Sequence, residues 1–216
     1  MPSSNNLATW RMPDRLSASF RQHADIGIRQ HFSRGQMLYL QGEIKEHFYF
    51  IDQGFVRISI LHESGQEALL DVMGPGTICG EGAAFDKMPN FSSAQAMSPV
   101  EAIAFRTQDI VETLAKDPDF GIDLLSAIAE KQRVVAVKVG VASLDSEQRI
   151  LEFLSRQATL FGEDSSEGCI IKTNLTHEKI AALTGASRVT ITRTLIKMRR
   201  DGVIDKLDGY YVLPKQ

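Results

Sequence analysis

Apolar positions come first in short strand-like clusters and later at helical spacing. Between residues 26 and 106 the apolar runs are MLYL at 37–40, HFYFI at 47–51, FVRISIL at 55–61, ALLDVM at 68–73 and VEAIAF at 100–105, with glycines between them. Short runs at close spacing with glycine turns predict an all-β barrel or sandwich, and Glu63-Ser64-Gly65 predicts a hairpin turn within it. Residues 1–24 read as a polar, irregular segment with a short helix around Arg15–Arg21. After Arg106 the period lengthens. Thr107 is expected to cap a short helix over 108–116, and Asp117-Pro118 to open a long one, since proline suits a first helical turn. Phe120, Ile122, Leu124, Leu125 and Ile128 form its first stripe, and Val134, Val135, Val137, Val139 and Val141 crowd its second half. Valine is a modest helix former, so this half needs packing. One face is expected to meet the β-domain and another the same helix of a second subunit.

Asp145, with Gln148 three residues on, predicts a capped helix from about 146 to 161. A polar loop, GEDSSEG at 162–168, and a short strand at 169–172 follow. Thr176 caps a run of Ile180, Ala181, Ala182 and Leu183, and Gly185 breaks it. Ser187 then caps a second run with Val189, Ile191, Leu195, Ile196 and Met198 at apolar positions. Two helices around a glycine turn predict a helix-turn-helix, whose second helix reads the DNA major groove. Gly202 ends that helix. Asp208-Gly209 between two short apolar runs predicts a hairpin, the wing of a winged helix. The expected architecture is α+β: an N-terminal segment at 1–24, a β-roll at 25–117, a dimerisation helix and hinge at 118–144, and a winged helix-turn-helix at 145–216.

Composition narrows the class. The 216 residues carry a net charge of −3, with 43% hydrophobic and 24% charged residues, as in ordinary globular proteins. From Lys172 to Arg200, however, seven cations face a single anion, Glu178, a local +6 suited to a phosphate backbone. No secretion signal or membrane span is visible in the sequence, and a cytoplasmic location is expected. Two cysteines, Cys79 and Cys169, are too few for a four-thiolate iron–sulfur cluster. His31, His47, His62 and His177 share no metal-ligand spacing.

The order β-roll, long helix, winged helix resembles the cyclic-AMP receptor and fumarate–nitrate regulator (Crp/Fnr) superfamily of bacterial transcription factors. ICGEGAAF at 78–85 resembles the start of the family's phosphate cassette, KVGVASLD at 138–145 the end of its dimer helix, and GASRVTITRTL at 185–195 its recognition helix. The resemblance spans roughly residues 25–213. It implies a homodimer on palindromic double-stranded DNA, with RNA polymerase as a further partner. It also implies Ser187, Arg188, Val189, Thr190, Thr192, Arg193 and Lys197 at the DNA, and an effector near Gly80, Glu81, Phe91, Ser92, Val134 and Val135.

Departures alter the expected ligand. The family's phosphate-gripping arginine position holds Phe91, and its adenine-contacting Thr-Ser pair falls on Val134 and Val135. An anionic phosphate needs a charge-assisted donor, so cyclic AMP is not expected and an apolar or aromatic effector is. 2-Oxoglutarate, haem through a histidine outside the family position, and no effector at all remain the alternatives. In the recognition helix Val189 stands where the receptor has glutamate, so the half-site should differ from the receptor's own. The SRVTITR run is similar to that of the cyanobacterial nitrogen-control regulators. A rival from another class is a metal-dependent enzyme of the cupin kind. It wants clustered histidines, and the chain has no His-x-His pair.

Overall fold

A computed structural model describes residues 10–142 and 144–215. They divide into two compact units, residues 10–134 and 135–215.

The first unit holds helix α1 (Asp14–Gln22), strands β1 (Ile28–Phe32), β2 (Met37–Tyr39), β3 (His47–Gln53), β4 (Val56–Leu61), β5 (Glu67–Met73) and β6 (Thr77–Cys79), and helix α2 (Glu81–Asp86). Strands β7 (Ser93–Ala96) and β8 (Val100–Arg106), helix α3 (Thr107–Leu114) and most of helix α4 (Pro118–Ala142) complete it. Two antiparallel sheets, ordered β1-β8-β3-β6 and β2-β7-β4-β5, make the roll. The expected turn at Glu63-Ser64-Gly65 closes between β4 and β5, where the Gly65 N–H donates to the His62 carbonyl at 2.9 Å.

β3 is buried on both faces, which is why HFYFI reads as a continuous apolar run rather than an alternating one. Tyr49 turns toward the facing sheet, its hydroxyl donating to the Leu38 carbonyl at 3.1 Å. Phe48 and Phe50 point the other way, onto Phe20 of α1. Phe20 is the hub of that layer. Its ring also meets Phe105 at 6.0 Å and Phe120 of α4 at 5.5 Å, between centroids. Such aromatic pairs add about 0.5–1.5 kcal/mol each beyond area burial.

Two expectations change here. The segment before residue 25 is not merely polar and irregular, because Trp10, Met12, Leu16 and Phe20 are all buried in the roll's core. Thr107 does not cap α3 from outside. It is the first helical residue, and its hydroxyl donates to the Ala84 carbonyl at 2.8 Å, joining α3 to α2.

The second unit contains α5 (Ser146–Phe161), β9 (Gly162–Asp164), β10 (Gly168–Ile171), α6 (His177–Thr184), α7 (Arg188–Arg200), β11 (Asp205–Leu207) and β12 (Tyr210–Pro214). The three caps expected in this unit form. Asp145 accepts from the Gln148 N–H, Thr176 from Lys179 and Ser187 from Thr190. The loop expected at 162–168 is partly a strand: β9 pairs with β10 in a sheet ordered β11-β12-β10-β9. The wing turn has Asp208 and Gly209 both at positive φ, the two-residue hairpin that the Asp-Gly pair favours. Ile150, Leu154, Ile180, Ile191, Leu195 and Met198 fill the core between the three helices.

Candidate nucleic-acid interface and candidate effector site

Helix α7 has two faces. Ile191, Leu195 and Met198 are buried. Val189, Arg193, Ile196 and Arg200 follow at i, i+4, i+7 and i+11 and are all exposed, with Arg188 exposed at the helix start. Of the apolar positions at helical spacing, Val189 at 59% and Ile196 at 64% exposure lie outside the core of this helix, Val189 among the residues expected at the DNA. They are apolar groups on the outward face, where contact with a thymine methyl is available chemistry. Ile196 is absent from the expected contact set because helical spacing alone does not separate an apolar reader from a core residue.

The hydroxyls are largely spent within the motif. Thr192 donates to the Arg188 carbonyl at 3.0 Å and lies 2.9 Å from His177 Nδ1 of α6. Thr190 Oγ1 lies 2.9 Å from Ser187 Oγ at the cap. A phosphate contact by Thr192 would have to redirect that proton.

The basic patch is also smaller in space than along the chain. Lys172 pairs with Glu163 at 3.7 Å, Arg188 with Glu178 at 3.2 Å, Arg199 with Asp205 at 3.4 Å and Arg200 with Asp201 at 2.9 Å. Lys197 sits 2.5 Å from Glu147 of α5, and that hydrogen bond holds its ammonium above the ordinary lysine range. Four of these five carboxylates lie outside the 172–200 window, which is why a local charge count misses them. Arg193 has no ion-pair partner among the described residues and is the cation most freely offered.

The second candidate site lies at the start of α2. Gly80 precedes the helix at φ 83°, a left-handed conformation, and an added Cβ would come within 3.2 Å of Tyr39 Cε1. Glycine is therefore required here by the backbone, whatever binds nearby. Glu81 faces Lys131 of α4. The Lys131 ammonium donates to both carboxylate oxygens, at 2.7 and 2.9 Å, and to the Ile78 carbonyl at 3.2 Å. The two side chains are only 15% and 19% exposed. Lys131, which along the sequence reads as one more solvated charge, is thus an internal counter-ion for the expected ligand carboxylate.

The remaining expected residues separate. Ser92 is buried and Val134 half-buried against the core. Phe91, expected as a wall of a dry pocket, is 69% exposed, and Val135 is exposed as well. Cys79, beside Gly80, is buried, and loss of solvation pushes its thiol up to about 12. A thiol in that state is unreactive near neutral pH. Two histidines pack within the roll: His47 lies 2.9 Å from the Tyr49 hydroxyl, and His23 stacks on Phe120 at 4.1 Å.

Comparison with known proteins gives two family matches, a cyclic nucleotide-binding domain over residues 29–117 and a Crp-like helix-turn-helix domain over residues 148–215. The chain is 32% identical over 185 residues to the CRP-like cAMP-activated global transcriptional regulator of Mycobacterium tuberculosis, covering 84% of this chain and 81% of that one. It is 26% identical over 197 residues to the global nitrogen regulator of a Nostoc species, covering 88% and 87%. Among solved structures, CprK complexed with OCPA superposes with a TM-score of 0.78 at 21% identity, over 97% of this chain and 96% of that one. That likeness shows a shared fold.

Proposed function

The chain belongs to the Crp/Fnr family of transcription regulators, and on that premise we propose that it is a homodimeric switch reading a palindromic operator through α7. Its relatives are regulators and not enzymes, so the cupin alternative falls. The observation that carries the proposal is the outward row Arg188, Val189, Arg193 and Ile196 on a helix whose opposite face buries Ile191, Leu195 and Met198. Arginine pairs bidentately with guanine, and the two apolar groups suit thymine methyls. Selection of binding sites from a random duplex pool tests the reading. It is expected to enrich a two-fold-symmetric sequence with guanine in each half-site, and enrichment of no sequence would reject it.

Dimerisation is carried by α4. Ile122, Leu125, Ala129, Gln132, Ala136 and Val139 repeat at alternating steps of three and four, the seam of a coiled coil. Leu125 is 63% exposed and Val139 69% exposed in the single chain. Burying one leucine side chain contributes about 1.5–3 kcal/mol, and a dimer has two. Leu125→Glu is therefore expected to shift the mass measured by light scattering from twice to once the chain's 24.0 kDa. A variant that stays dimeric would move the interface elsewhere.

The effector is inferred to be something other than a cyclic nucleotide. Phe91, Val134 and Val135 replace the family's ligand donors, and Lys131 already meets the charge of Glu81. With no cation at residue 91 and no hydroxyl at residues 134 and 135, a neutral, apolar or aromatic molecule is inferred in place of an anionic phosphate, although a relative is cAMP-activated by name. Titration calorimetry with cyclic AMP is expected to give no saturable heat. Saturable micromolar binding would refute this part alone. In the proposed mechanism the effector changes the packing of α4, and so the balance between a DNA-competent and an incompetent dimer.

A further inference from the structure

Glu178 is the one anion in a 29-residue stretch with seven cations, on a face proposed to meet phosphates. An unneeded carboxylate there would oppose binding to every duplex. Its surroundings give it a task. Glu178 Oε1 lies 3.2 Å from Arg188 Nε, and both side chains are well exposed. The neighbouring residue, His177, is also engaged with the start of α7. Thr192 sends its only proton to the Arg188 carbonyl, so its oxygen accepts from His177 Nδ1–H at 2.9 Å. Two consecutive residues in the first turn of α6 thus hold Arg188 at both ends, its carbonyl through Thr192 and its guanidinium through Glu178.

We propose that Glu178 is a positioning residue for base reading, a role that rests on α7 entering the major groove. An arginine can present either its two terminal nitrogens, or Nε with one of them, to a planar acceptor pair. With the carboxylate beside Nε, the terminal fork is the edge left to meet guanine O6 and N7. A fork already oriented loses less freedom when it binds. An exposed ion pair adds little to folding stability, so its removal leaves the domain folded and its effect is read in specificity.

The test uses the full chain and the duplex selected from the random pool. The guanine read by Arg188 is the position at which Arg188→Ala loses its preference. Wild-type protein is expected to prefer guanine over adenine there by about ten-fold or more. Glu178→Ala and Glu178→Gln are expected to reduce that preference to about two-fold. Their affinity for a duplex without the site should be unchanged or higher. Wild-type preference in both variants, with affinity for all duplexes rising in parallel, would make Glu178 a mere repulsive charge and overturn the proposal. If Arg188→Ala itself keeps every base preference, the reading of α7 fails first and this one with it.

Discussion

Arg188→Ala is expected to abolish specific recognition of the selected operator while leaving the fold and the dimer intact. Arg188 is exposed, and its pairing with exposed Glu178 contributes at most about 1 kcal/mol to stability. At the DNA its loss is larger. A bidentate arginine–guanine contact discriminates by about 1–3 kcal/mol, and a dimer makes it twice. The expected cost is about 2–6 kcal/mol, or roughly 30-fold to 10⁴-fold in affinity for the operator. Binding to an unrelated duplex should weaken far less, since one cation among several is lost per protomer. Fluorescence anisotropy with both duplexes separates the two effects. Equal losses on both would reduce Arg188 to a phosphate contact.

The second large effect is expected in the roll. Lys131→Met removes the ammonium from a carboxylate that is only 15% exposed. Breaking a buried pair from one side costs about 3–5 kcal/mol. The residual exposure of Glu81 and Lys131 lowers this to about 2–3 kcal/mol. Urea unfolding should show the loss as a lower midpoint. Lys131→Met combined with Glu81→Gln is expected to recover more than half of it, because the penalty is the uncompensated charge rather than lost packing. A single variant as stable as wild type would mean that the pair is solvated and holds nothing.

These two residues also mark how much was legible in the chain. Ser187, Thr176 and Asp145 announce their helices because a cap is a local device, complete within four residues. β3 and β8 are legible as dense apolar runs. β1 is not, because IRQHF buries only its last residue and carries no alternation. Nor is β9, which is exposed throughout and held by backbone pairing alone. The candidate sites divide on the same line. Arg188, Arg193 and Val189 are readable from motif and spacing. The pairing of Lys131 with Glu81, and of Lys197 with Glu147, spans 50 residues each, and no local pattern encodes it. The exposure of Phe91, which the resemblance sets near the effector, is hidden for a related reason: the placement of its loop at the surface is set by the packing of the roll and not by any local pattern.

Methylation interference on the selected operator tests α7 as a major-groove reader most directly, because guanine N7 lies in that groove. Wild-type protein is expected to be blocked by methylation at two guanines related by two-fold symmetry, about one helical turn apart. Arg188→Ala should lose both signals. Interference confined to adenine N3 in the minor groove, or at one unpaired guanine, would contradict a symmetric pair of α7 helices reading the operator.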